Sequence, residues 1–326
     1  MLRQGKPFYL MSKIVLFGHS WITVHLINNL VEKNLKPDLV VTMHSDKSKN
    51  ISGFYDLTKI LNNYNIKCYH PDSYSLKNDK DLRFFKNYDF DFGLVFGWSR
   101  LIPENIINQA KKAILGVHGG PFPPPRCRGR AVFNWALIDG FKNFYIYIFK
   151  ISPGIDDGDI FLTRNFRISS FDNIQSVYDK NSIVSTKMFI QLLLDWEFYR
   201  DMGIKQNDEK ATYLRGRKSE DSGICWDDST NNIYNFIRAL VKPFPNAFTQ
   251  LFDQKIYIQS SIPFDDIQFK RFEPGYISCV FSNGNFVVQT GDGFIYINNY
   301  DTVNNSKIVS GSVLKSFPKQ SEINIY

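Results

Sequence analysis

Cysteine is scarce in this chain: four in 326 residues, at Cys68, Cys127, Cys225 and Cys279, with no Cys-x-x-Cys pair. That scarcity excludes a disulfide scaffold and a cysteine metal frame, and it points to a reducing, cytoplasmic setting. Histidine is nearly as rare, and His25, His44 and His70 have no partners at metal-ligand spacing, so no metal site is expected. No apolar run approaches the ~20 residues needed to cross a bilayer, and no membrane partner is expected. The opening "MLRQGKPFYLMSKIVLFGH" lacks a small-residue cleavage site, so it does not read as a signal peptide. Met11 reads as the natural beginning, leaving residues 1–10 as an extension. The glycine-poor "FGHSWIT" is no dinucleotide fingerprint, because Gly-x-Gly-x-x-Gly is absent. There is no internal repeat and no block of like charge.

What is present is a globular composition, 43% hydrophobic with 29 phenylalanines, enough for a large core. The net charge of +7 is spread along the chain and favours phosphate-bearing or otherwise anionic partners over a nucleic-acid tail. Short apolar runs alternate with helical spacing: "KIVLF", then "WITVHLINNLVEKN", "DLVVTM", "FYDLTKILNNYN", "DFGLVFGW", a helix "NIINQAKK", and "AILGVHGG". A short helix "RAVFNWALIDG" and a strand "NFYIYIFKI" follow, and a long amphipathic stretch covers 173–196. Strands separated by helices predict an α/β, Rossmann-like, mostly parallel sheet with helices on both faces. Ligands of such sheets bind at loops leaving the strands' carboxyl ends, here residues 96–103 and 117–129.

The pattern changes beyond a polar stretch poor in large aliphatics. We read 11–205 as a catalytic domain, 206–222 as a linker and 223–326 as a smaller β-barrel-like domain. Hairpin signals at Asn283-Gly284 and Asp292-Gly293 support the last assignment.

One segment concentrates unusual chemistry, "GVHGGPFPPPRCRGR". His118 follows a strand and is flanked by Gly116, Gly119 and Gly120, so backbone can approach a ligand closely. Arg126 and Arg128 follow on a proline-stiffened loop, with side chains shaped for two-point capture of phosphate or carboxylate. A second turn, "PGIDDGDI", brings Asp156, Asp157 and Asp159. Histidine beside a carboxylate makes a proton-transfer pair. The same residues also permit a plain reading: a turn-forming Asp-Gly, a helix cap and surface arginines.

The run "VHGG…RGRAVFNWALIDG" followed by "GIDDGDI" resembles the signature of the folate-dependent formyltransferases. That family includes methionyl-tRNA formyltransferase, glycinamide ribonucleotide formyltransferase and the nucleotide-linked amino-sugar N-formyltransferases. The resemblance continues through "YNFIRALVKPFPNAF" and "QTGDGFIYI" near the end of the chain. It implies 10-formyltetrahydrofolate as co-substrate and an uncharged acceptor amine that attacks the formyl carbon. His118 would stabilise or protonate the oxyanion, while Asp156 would orient His118 and help remove the amine's proton. The resemblance places Trp98, Leu101 and Ile102 of "FGWSRLIPENI" around the pterin, with Ile155 and Asp157 on its other side. The alternative is that Trp98 and Leu101 simply pack beneath their loop.

The chain departs from the family pattern in three ways. Gly116 stands where the family usually has an Asn whose amide helps bind the oxyanion, and losing such a donor can cost on the order of 3 kcal/mol. Backbone N–H groups of a Gly119-Gly120 turn are the expected substitute. The loop from His118 to Arg128 is longer than in members with Leu-Leu-Pro, and "FYIYIF" replaces a polar strand that carries a second histidine.

These changes bear on the acceptor. "RGRAVFNW", with Asn134 and Trp135, is more similar to the sugar enzymes, whose acceptors are dTDP-, GDP- or UDP-linked amino sugars and whose products enter surface lipopolysaccharide biosynthesis. On that reading Arg126 and Arg128 hold the diphosphate or organise the loop, and His19 and Ser20 meet its phosphates at a helix N-terminus. Asn134 and Trp135 would face the acceptor, and a homodimer is compatible with the resemblance. The rivals are a methionyl-tRNA formyltransferase, with tRNA as partner, and a non-catalytic folate- or nucleotide-binding homologue.

Overall fold

The computed structural model describes residues 12–48, 51, 53–264, 270–303 and 307–319; the expected extension over 1–10 and Met11 lie outside them. The chain divides into two units. One comprises Met1–Gly129, Tyr145–Phe166 and Tyr178–Tyr213; the other comprises Arg130–Phe144, Arg167–Val177 and Leu214–Tyr326. Among the described residues no helix is long and apolar enough to cross a membrane.

The first unit is organised by β1 (Ile14–Phe17), β2 (Leu39–Val41), β3 (Lys67–Tyr69), β4 (Phe90–Val95) and β5 (Ala110–Gly120). Two-residue β6 (Arg128–Gly129) comes next, and β7 (Asn143–Lys150) and β8 (Ile160–Arg167) complete the sheet, in the order β3-β2-β1-β4-β5-β7-β8. The pairs from β3 through β5 are parallel. Every side chain of "IVLF" in β1 is buried, as expected of a strand covered on both faces. Helices α1 (Trp21–Glu32), α2 (Thr58–Asn63), α3 (Asp79–Lys86) and α4 (Glu104–Ile107) supply the crossovers. Because the strand order reverses between β1 and β4, the loops after those strands flank the crevice where such sheets take ligands.

Two local expectations yield to tertiary pairing. The helix expected over "NIINQAKK" is one short turn, because Ala110 already pairs with Phe90 of β4 and the lysines after it continue the strand. The strand β5 also runs on through Gly120, where a loop was expected, because β7 pairs with it antiparallel from Lys150 opposite Leu115 to Tyr145 opposite Gly120.

In the second unit, α5 (Val132–Ile138) is followed in the chain by α6 (Ile174–Leu194) and α7 (Trp196–Tyr199), both largely in the first unit, by two-residue β9 (Tyr213–Leu214), and by α8 (Thr230–Arg238). Ser229 caps α8 by accepting the Asn232 N–H. A five-stranded antiparallel sheet follows, β10 (Ala247–Leu251), β11 (Gln254–Pro263), β12 (Ile277–Val280), β13 (Phe286–Gln289) and β14 (Phe294–Thr302), in the order β10-β11-β14-β13-β12. Its hairpins turn at Asn283-Gly284 and Asp292-Gly293, where the sequence places them. Trp226 is fully buried beneath this sheet and donates its indole N–H to Thr249 Oγ1 (3.0 Å).

Candidate active site

Strand β5 presents His118 directly opposite Tyr147 of β7, and Gly116 opposite Phe149. Alternate residues of a strand share a face, so Gly116, His118 and Gly120 line one side. Each glycine is explained by a neighbour. A Cβ on Gly116 would stand 2.4 Å from Ile151 Cδ1 and 3.2 Å from Phe149 Cε1, so the space of a side chain at 116 is already filled. A Cβ on Gly120 would come within 2.7 Å of the Cys127 Cβ. Gly119 and Gly120 are ladder residues paired with Ile146 and Tyr145, which corrects the expectation of a free turn there.

Strand β5 and the turn after β7 bring His118 and Asp156 together. His118 Nδ1 lies 3.6 Å from Asp156 Oδ2, and both side chains are mostly buried. His118 Nε2 is 2.8 Å from the Cys127 carbonyl, which can only accept, so Nε2 carries a proton. Its other nitrogen faces the carboxylate across a gap slightly too long for a hydrogen bond and short enough for charge to be felt. Asp156 Oδ2 also accepts the Gly129 N–H at 2.9 Å. Asp156 holds a left-handed backbone at φ +51°, a conformation costly for a residue with a Cβ and found where surrounding contacts enforce it. The buried Tyr147 ring stands edge-on to His118 (5.7 Å), and its hydroxyl has no hydrogen-bond partner among the described residues. Burial first, and the nearby Asp156 charge second, push that hydroxyl far above the ordinary tyrosine range.

The two arginines of the loop part company. Arg126 is half-buried with its guanidinium over Phe122 (4.5 Å). Arg128 is 1% exposed and fully engaged: it donates to Gln206 Oε1 from Nε (3.3 Å) and Nη2 (3.0 Å), to Asp208 Oδ1 (2.8 Å) and to the Tyr213 hydroxyl (3.1 Å). Burial works against its charge, but the Tyr213 and Asp208 bonds outweigh it and raise its pKa above the ordinary value. Of the two roles open to Arg128, organising the loop matches these contacts, and its guanidinium is not free for a diphosphate. Gln206, Asp208, Thr212 and Tyr213 were not singled out from the sequence. They lie in or beside a polar, aperiodic stretch, and only the fold reveals their contacts.

The loop after β4 also divides. Trp98 and Ile102 are buried in the core with Phe17 and Val41, so their side chains pack under the loop, whereas Leu101 is half exposed. On the opposite turn Ile155 is 45% exposed, and Asp157 accepts a hydrogen bond from Ser152 Oγ. His19 is 3% exposed, with Nε2 2.7 Å from the Tyr74 hydroxyl and its ring against Trp98 (5.7 Å). Burial lowers its pKa to about 4, so it is neutral at neutral pH and offers no charge to a phosphate. Ser20, also buried, pairs with Thr23 at the start of α1. Asn134 and Trp135 correct the sequence reading more plainly. Both are buried in the second unit, with Asn134 Nδ2 donating to the Ala239 carbonyl (2.8 Å) and Trp135 Nε1 to the Arg215 carbonyl (3.0 Å). Their position on an inward face of α5 commits them to packing.

Comparison with known proteins places this geometry in a family. Residues 12–193 match the family model described as formyl transferase, and residues 217–317 match the formyl transferase C-terminal domain. A methionyl-tRNA formyltransferase of Leptospira interrogans is 26% identical over 309 residues, 94% of this chain and 97% of that protein. The bifunctional polymyxin resistance protein ArnA of Wigglesworthia glossinidia brevipalpis is 28% identical over 272 residues, covering 82% of this chain. The chain spans only 41% of that relative's length. Among solved structures, the N-formyltransferase of Helicobacter canadensis, in complex with folinic acid and dTDP-3-aminofucose, superposes with a TM-score of 0.64 at 19% identity, covering 89% of this chain and 100% of the other. HypX of Aquifex aeolicus in complex with tetrahydrofolic acid gives 0.63 at 16% identity, covering 94% of this chain and 46% of the other.

Proposed function

The chain belongs to the formyl transferase family, and from that premise we propose that it moves the formyl group of 10-formyltetrahydrofolate to the amine of a nucleotide-linked amino sugar. The observation that carries the chemistry is the His118–Asp156 pair, 3.6 Å apart with the imidazole proton fixed on the far nitrogen. A sugar amine is mostly ammonium at neutral pH and attacks only after losing a proton. A proton reaching His118 Nδ1 would face the Asp156 carboxylate, 3.6 Å away and held in place by the Gly129 N–H. With the Nε2–H held by the Cys127 carbonyl, the donor His118 can offer to the oxygen on which negative charge develops is Nδ1–H once that nitrogen has taken the amine's proton, and such a donor is worth roughly 10²- to 10³-fold in rate.

The residues present fit a folate. Leu101 and Ile155 expose large apolar side chains on the turns after β4 and β7, whereas most such side chains in the first unit are buried. Bound there, 10-formyltetrahydrofolate supplies an activated one-carbon acyl group. Leu101 and Ile155 would cover its ring, and the backbone of the Trp98 loop, held from below by Tyr74 Oη bonded to the Ser99 N–H (3.0 Å), would supply its polar contacts.

The amino-sugar acceptor is supported by the similarity of "RGRAVFNW" to the sugar enzymes, and by an N-formyltransferase solved with dTDP-3-aminofucose that shares the fold over its whole length. A second reading, formylation of methionyl-tRNA, is favoured by relatives so named over nearly the full chain and by the net charge of +7. The test is a screen of nucleotide-linked amino sugars beside initiator methionyl-tRNA with the formyl-folate donor. The proposal expects turnover on a sugar nucleotide with weak salt dependence. Turnover on tRNA alone, with affinity falling steeply as salt rises, would replace it with the second reading.

A further inference from the structure

Resting on the roles of His118 and Asp156 given above, we propose that Gln206 is a positioning residue: its amide locks the Asp156 turn into register with His118. Gln206 is 6% exposed and stands 50 residues from the turn it holds. Its Nε2 donates to two carbonyls of that turn, Asp156 O (2.8 Å) and Gly158 O (2.7 Å). Its Oε1 accepts from Nε and Nη2 of the buried Arg128. All four hydrogen-bonding capacities of the amide are used, two as donor and two as acceptor.

The partners fix which end points where. A backbone carbonyl only accepts and a guanidinium only donates, so the NH₂ must face the turn and the oxygen must face Arg128. Only an amide offers both ends at this length. The hold falls on a turn whose Asp156 is left-handed (φ +51°), a backbone state uncommon outside glycine, and it binds the carbonyl of Asp156 itself. Freed of Gln206, the backbone of Asp156 can relax, swinging the carboxylate from the Gly129 N–H and from His118.

The same segment reaches the other member of the pair. Thr212 Oγ1 accepts the Cys127 N–H (3.0 Å) and its carbonyl accepts the Arg128 N–H (2.8 Å), while the Cys127 carbonyl accepts the proton of His118 Nε2. Residues 206–212, expected from composition to open a linker, therefore brace imidazole and carboxylate from one side. Arg128 joins the two arms. Misplacing a reacting group by 1 Å can cost ~100-fold in rate.

Gln206→Glu separates positioning from folding. The variant is nearly isosteric and keeps its attraction to Arg128, yet it turns a carboxylate oxygen toward two carbonyls. We expect kcat to fall by at least about tenfold, with KM for donor and acceptor within about twofold and the unfolding midpoint close to that of the native chain. A smaller fall in kcat, or a fall matched by lost stability, overturns the proposal. If Gln206→Glu does not fold, Gln206→Met decides by the same criteria, and failure of both to fold makes Gln206 structural and overturns it. If the native chain transfers formyl to no acceptor, the functional reading fails separately. Gln206 is then judged from crystal structures of the native chain and Gln206→Glu. Loss of the 2.9 Å contact between Asp156 Oδ2 and the Gly129 N–H supports positioning, and an unmoved turn overturns it.

Discussion

Two histidines stand toward the carboxyl ends of strands of one sheet, His19 just after β1 and His118 among the last paired residues of β5. Both are largely buried, and they differ in what they face. His118 has a carboxylate 3.6 Å from one nitrogen and a backbone carbonyl on the other. His19 has the Tyr74 hydroxyl on one nitrogen, no charged group on the other among the described residues, and aromatic rings of Phe54, Tyr74 and Trp98 around it. His118 therefore faces a charge and His19 does not. At His19 burial disfavours the charged form and leaves a neutral ring that shapes an aromatic wall. Burial is common to both histidines; the facing carboxylate is what sets the candidate catalytic one apart.

The sharpest break of this contrast is His118→Ala. It removes the imidazole to which we assign proton uptake and donation, and turnover should fall ~10³-fold or more in a formyl-transfer assay with the unfolding midpoint retained. Retained turnover would make the two histidines equivalent. The pH dependence of stability tests the other side. The folded-state pKa of His19, about 4, lies below its ordinary 6.5, so the fold favours the neutral ring. That contribution, on the order of 3 kcal/mol, is complete above pH 6.5 and is lost as the pH falls toward 4. Denaturant melts between these values should show His19→Gln losing less stability on acidification than the native chain, and parallel curves would refute the burial account.

Smaller effects sharpen the neighbourhood of His118. Because Ile151 and Phe149 fill the space beside Gly116, Gly116→Asn alone should change turnover only modestly, within about fivefold. A gain of about tenfold or more would show that the missing amide was the limiting donor. Smallest of all is Tyr147→Phe. Removing a buried hydroxyl that has no partner among the described residues should leave stability unchanged or raise it by about 1 kcal/mol, as read from denaturant midpoints. A clear loss would reveal a bond that the hydroxyl makes in solution.

How much of this could be read from the chain differs by residue. The runs "IVLF" and "DLVVTM" announce parallel strands because both faces are buried, and Asn283-Gly284 announces a hairpin because left-handed backbone favours glycine. His118 and Asp156 are legible through their motif. The end of β5 is not, since only antiparallel pairing with β7 keeps glycines in a strand. Asn134 and Trp135 follow the arginine loop closely in sequence, yet the helical turn of α5 rotates them inward. Gln206 is least legible: a lone amide in a polar stretch has no periodicity, and its partners lie 50 and 78 residues away.

The most direct measurement is formyl transfer by Asp156→Asn beside the native chain. Asparagine keeps the size of the side chain and an oxygen for the Gly129 N–H while removing the charge that faces His118. Turnover lower by ~10³-fold with unchanged unfolding is the predicted result. Transfer at the native rate would contradict a mechanism built on this pair.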